Sequence, residues 1–127
     1  MIIDEMQHME DLLSGNGVTV EEISNAEMQL GIVFADDYKQ YLIGYGIAVV
    51  NGHELTGLGA QDRVDVVKTT KKNRSLDLEN RKTLYVIEEA NIDGIIFWQD
   101  RFGKVFRTCL QSKPVLVYES LIEYIRS

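Results

Sequence analysis

With one cysteine, Cys109, the chain can form no internal disulfide, and at 127 residues it is long enough to bury a core without one. No apolar run approaches the roughly 18 residues of a membrane span; "IAVV" and "GIIFW" have the length of strands. The opening "MIIDEMQHMEDLL" carries acids where a secretion signal carries bases, and no signal-type apolar block follows. The expectation is one domain over 1–127 in a reducing cytoplasm, with no membrane partner. Bases are scarce in the first half. Through Asp62 there are 11 acids and one base, Lys39, a balance of −10; from Arg63 onward 9 acids meet 12 bases, a balance of +3. The net charge of −7 argues against nonspecific nucleic-acid binding, because most of the surface repels phosphate. It suits a basic protein partner, and it equally suits plain solubility.

The signatures of chemistry are missing too. There is no G-x-S-x-G elbow, and the glycines of "GHELTGLG" lack the spacing of a phosphate cradle and the helix that should follow it. Their expected role is in turns and close packing. His8 and His53 are isolated from each other and from Cys109, so no metal site or cofactor is expected and both histidines read as structural or solvated. Cys109, within "FRTCL", is expected to be a small buried core residue. Among carboxylates, Asp36/Asp37, Glu88/Glu89 and Asp93 could in principle serve acid–base chemistry. Adjacent strand residues point to opposite faces, so Glu88 and Glu89 cannot pair, and caps and turns explain the others better.

What is present is periodicity. Ile2, Met6, Met9 and Leu13 define one face of a helix, broken by "SGNG" at 14–17. Thr19 and Glu22 have capping-box spacing ahead of a helix burying Ile23, Ala26 and Leu30 and ending at Gly31. Tyr38, Tyr41, Leu42 and Tyr45 form the buried stripe of the next helix, with Asp36 and Asp37 at its positive mouth and Gly46 as its stop. Asn51-Gly52 predicts a hairpin. Residues 63–76 read as a basic helix with Val64, Val67 and the Lys71 methylenes inward, and its charge extends to residue 82 as a solvated face complementing an acidic neighbour. Then "TLYVIEE", "GIIFWQ", "KVFRTCL" and "VLVYE" are strands, with "DRFG" a tight turn, before the helix "ESLIEYIRS" packs Leu121, Ile122 and Ile125 inward. The expected class is α+β: an antiparallel meander packed with N-terminal helices and a C-terminal helix.

The order of these motifs resembles the SUKH superfamily, named after yeast cell-wall-synthesis regulators. That family carries an "AE..LG..LP.DY..FL..YNGG" run followed by a "LxGL"-type segment. Its counterparts here are Ala26, Glu27, Leu30, Gly31, Phe34, Asp37, Tyr38, Tyr41, Leu42, Tyr45, Gly46, Glu54, Leu55, Gly57 and Leu58. "LYVIEEANIDGIIFWQDRFGKVF" is similar to its glycine-punctuated meander, and "ESLIEYI" to its closing helix. Ala35 stands where the family commonly has proline, and the loop after Tyr45 is poorer in glycine.

The resemblance implies a non-enzymatic binding module. Bacterial members are regarded as immunity proteins that neutralise a cognate toxin, often a nuclease or deaminase, in the cytoplasm; eukaryotic members are regulatory scaffolds. A basic toxin would be steered by an acidic inhibitor. The residues expected to meet the partner are Asp36, Asp37, Glu54, Asp62, Asp93 and Asp100, with Trp98 and Phe102 as exposed aromatic anchors. A regulatory scaffold for a cellular protein and a small carboxylate enzyme stay open as alternatives, and a free sheet edge or face would permit a homodimer.

Overall fold

Asn51 and Gly52 take φ of 50° and 78°, the two positive values a tight hairpin needs, and they join Ala48–Val50 (β2) to His53–Glu54 (β3). The computed structural model describes residues 1–75 and 77–127. Leu13–Ser14 (β1) pairs with the other edge of β2, completing a three-stranded antiparallel sheet. A second sheet is the meander Tyr85–Glu89 (β4), Ile95–Gln99 (β5), Val105–Cys109 (β6) and Val115–Tyr118 (β7), in that spatial order. The class is α+β, and the four strands fall where alternation placed them. Asp93 and Gly94 turn between β4 and β5 with φ of 53° and 71°, and Asp100 to Gly103 close the next hairpin.

Among the described residues six helices accompany these sheets: α1 (Ile2–Gln7), α2 (Val20–Leu30), α3 (Asp36–Gly44), α4 (Val66–Arg74), α5 (Leu78–Arg81) and α6 (Leu121–Ile125). Thr19 caps α2 by accepting from the Glu22 amide at 3.1 Å, and Gly31 ends it in the left-handed region. Ile23, Ala26 and Leu30 are buried, as are Tyr38, Tyr41 and Leu42 of α3. These residues join Met6, Val50, Leu55, Tyr85, Ile87, Val105, Leu121, Tyr124 and Ile125 in one core on one face of the meander. On the opposite face Leu84, Val86 and Trp98 form a smaller cluster, with the Arg81 guanidinium 5.4 Å above the Trp98 ring.

Several expectations change. The first helix stops at Gln7 instead of running to Leu13. Met6 is buried and Met9 packs against the core, but Leu13 is 71% exposed and satisfies its backbone by pairing with Val49. The basic segment is interrupted because Asp65 caps α4, accepting from the Lys68 amide at 2.9 Å; residues Asp62–Val64 form a 3-10 turn instead. Val66 and Val67 are buried, Val64 is half-buried and Lys71 is exposed. Leu76, inside the expected helix, lies outside the described residues. Cys109 is exposed, not core: it ends β6, with its thiol donating to the Asp93 carbonyl at 3.3 Å.

Gly57 shows why a glycine is needed near the sheet junction. A Cβ there would lie 1.9 Å from the Gly46 carbonyl oxygen. Its own amide donates to Val64 and its carbonyl accepts from Val66, both at 2.9 Å, so the start of α4 is locked against the strand region.

Candidate functional site

A buried hydrogen-bond chain organises one end of the molecule. Ala35 begins α3 without a side-chain cap, and its amide donates instead to the Tyr85 hydroxyl at 3.0 Å. That hydroxyl donates to Gln99 Oε1 at 2.5 Å, and Gln99 Nε2 donates to Asp37 Oδ1 and the Gly103 carbonyl, both at 3.0 Å. The other Asp37 oxygen accepts from the Leu121 amide at 3.0 Å and so caps α6 across space. Burial pushes the Asp37 carboxyl up, against the opposing pull of its bonds from Leu121 and Gln99. Burial likewise holds the Tyr85 hydroxyl protonated. The chain of bonds anchors the loop entering α3 to the hairpin between β5 and β6.

Between that loop, the end of α2 and that hairpin lies a recess of about 670 Å³. Met28, Ile32, Val33 and Phe102 supply its apolar surface, with Glu27, Asp100 and Arg101 among the polar lining. Met28 is 80% exposed, Phe102 78% and Val33 43%, an uncovered apolar group with charges beside it. The recess is held open by turn chemistry. Asp100 Oδ1 accepts from the amides of Phe102 at 2.9 Å and Lys104 at 3.0 Å, and the Arg101 guanidinium lies 5.6 Å from the Phe102 ring. On the helix side, Glu27 accepts from the Phe34 amide at 2.8 Å and meets Lys39 at 3.5 Å.

The sequence-expected residues divide by position. Asp36, Asp37, Asp100 and Phe102 gather at this end: Asp37 is bonded to Gln99 next to Asp100, and exposed Asp36 precedes it on α3. Glu54 and Asp62 do not join them. Arg63 grips Glu54 with two bonds of 2.5 and 2.8 Å and holds its carboxyl below the usual range, while Lys68 meets Asp62 at 2.6 Å. With Lys72 against Glu89 at 2.9 Å, Arg63, Lys68 and Lys72 meet acidic neighbours, whereas Lys71 is exposed and Arg74 and Arg81 bond backbone carbonyls. Asp93 sits in the turn before β5 and Asp100 follows its end, so a strand of about 17 Å separates them. Trp98 must be corrected. It has no exposed surface, its indole donates to Thr108 at 2.9 Å and Arg81 covers it, so it cannot be a partner anchor. Met28, Ile32, Val33 and Arg101 were missed. Met28 was readable, since it falls off the Ile23/Ala26/Leu30 stripe of α2 and therefore faces outward.

Elsewhere, Glu88 is a buried carboxylate that accepts from His53 Nδ1 and the Glu54 amide, each at 2.8 Å, and from the Tyr124 hydroxyl. The bond to Glu88 raises the His53 pKa against the effect of burial. Glu89 points the other way, toward Asn73 and Lys72, as adjacent strand residues should. No hydrogen bond joins Glu88 to Asp37 among the described residues, and Glu88 does not line the recess. Among the described residues no three of His, Cys, Asp and Glu converge to hold a metal, and no helix is long and apolar enough to cross a membrane. The arrangement at the recess can grip an apolar group and complement charge around it.

An antiparallel meander closed by helices, with a recessed apolar face beside carboxylates, defines an α+β module. The SUKH_5 family model, described as SMI1-KNR4 cell-wall, matches residues 1–127, and the chain belongs to that family. No curated protein matches it significantly.

Proposed function

We propose that the chain works as one cytoplasmic domain and as an immunity protein. It binds a cognate toxin of nuclease or deaminase type, itself basic, and covers the toxin's working surface without making or breaking a covalent bond. The observation that carries this reading is the recess at Met28, Val33 and Phe102, exposed apolar surface beside Glu27 and Asp100 in a chain of net charge −7. Apolar anchors in a concavity supply affinity, and surrounding charge supplies encounter rate and discrimination. Family membership supports a binding role, and the immunity role follows the bacterial branch of the resemblance.

The test is co-expression with each toxin encoded beside this gene. Restored growth and a stoichiometric complex on co-purification are expected for one of them. Failure to bind or neutralise any neighbouring toxin would overturn the reading.

A further inference from the structure

The recess does not end at Met28. A second hollow, of about 710 Å³, runs along α2 past Thr19, Glu21, Glu22, Ser24 and Asn25, and shares Ser24 and Met28 with the first. Glu21, Ser24, Asn25 and Met28 are spaced i, i+3, i+4 and i+7, so they form a single outward stripe of α2. The two middle residues are small, which leaves the helix surface shallow and accessible. Glu21 and Glu22 put negative charge at one end, and no lysine or arginine occurs anywhere in α2. At the other end are the apolar groups of Met28, Val33 and Phe102, with Glu27, Asp100 and Arg101 around them. The trough therefore runs from a carboxylate end to an apolar end whose rim carries charges of both signs.

We infer that this trough receives a short helical segment of a partner protein in one orientation. The segment's Lys or Arg residues lie over Glu21 and Glu22, and a large apolar side chain sits between Met28 and Phe102. Seven residues of helix rise about 10 Å, so the segment's basic and apolar groups should be about two turns apart. The complementarity excludes a polyanionic occupant from the Glu21 end. The inference rests on the proposed binding role but uses none of the toxin's identity.

The probe is a pair of alanine-rich helical peptides, each with two leucines at one end and, two turns away, two lysines or two glutamates. Binding is read from the methyl resonances of methionine-labelled protein, where exposed Met28 is the reporter and buried Met6 the control. The lysine peptide should shift Met28 saturably and bind about fivefold more tightly than the glutamate peptide, the worth of two exposed ion pairs. The advantage should vanish in Glu21→Gln/Glu22→Gln, and Phe102→Ala should weaken both peptides. Equal affinity for the two peptides, an unmoved Met28, or a self-dimer that buries Met28 would each overturn the inference. Peptide docking without neutralisation of any neighbouring toxin would leave the trough standing and remove the immunity role. Neutralisation unaffected by Glu21→Gln/Glu22→Gln and Phe102→Ala would do the reverse.

Discussion

Tyr85→Phe removes one oxygen from the middle of the buried chain of bonds that shapes the recess. Ala35, Tyr85 and Gln99 are all essentially inaccessible, so neither partner of the lost hydroxyl can turn to bulk water. The Ala35 amide loses its acceptor and Gln99 Oε1 its donor. An orphaned buried polar group costs about 1–3 kcal/mol, so the pair should cost about 2–5 kcal/mol. The ring itself stays, with its contacts to Phe34 at 4.8 Å and Tyr38 at 5.0 Å between centroids, so no sizeable cavity adds to that figure. Urea unfolding should show the loss as a lower midpoint with unchanged slope. Tyr45→Phe, at a half-buried ring whose hydroxyl makes no hydrogen bond among the described residues, should stay within about 0.5 kcal/mol. Amide exchange at Phe34 and Phe102 should also quicken, since they flank Ala35 and Gly103, which this chain of bonds holds. A Tyr85→Phe loss under about 0.5 kcal/mol would refute the argument that these bonds hold the loop and hairpin together.

Two further outcomes follow from the packing. His53 has its pKa raised by Glu88, so its stabilising contribution is complete below the ordinary value of 6.5 and is lost as pH climbs through the raised folded value. Because the imidazole is only partly buried, this pH-linked part should be on the order of 1 kcal/mol. Thermal melts between pH 6 and 9 should fall in the native chain and flatten in His53→Gln. Gly57→Ala drives a methyl into the Gly46 carbonyl and should cost about 1–3 kcal/mol or more by forced backbone movement, measured by the same urea titration. Gly52→Ala, where nothing lies within 4 Å of the added carbon, should pay only for its positive φ, about 1 kcal/mol.

Much of the scaffold was legible because local rules and tertiary packing agree. Thr19 caps its helix, Gly31 ends it, Asn51-Gly52 turns the hairpin, and the four alternating segments pair in order as the meander. What failed was decided by distant partners. Leu13 continues a helical stripe on paper, yet the free edge of β2 takes it as a strand. Asp37 sits where a local cap belongs but serves the start of α6, 84 residues away. Alternation placed Trp98 on one face of its strand without saying that Arg81 would roof that face. At the candidate site, Phe102 and Asp100 could be read from the tight turn that exposes them. The recess itself could not, because it forms where α2 and the loop entering α3 meet the β5–β6 hairpin, far from them in sequence.

The most direct measurement is an inhibition titration of the neighbouring-gene toxin with the native chain and with Met28→Glu/Phe102→Glu. Both substituted side chains are largely exposed, so the variant should fold normally. Stoichiometric inhibition by the native chain and an affinity weakened by about 100-fold or more in the variant, as expected when two central anchors are lost, is the predicted result. Equal inhibition by the two proteins, or none by either, would contradict the account.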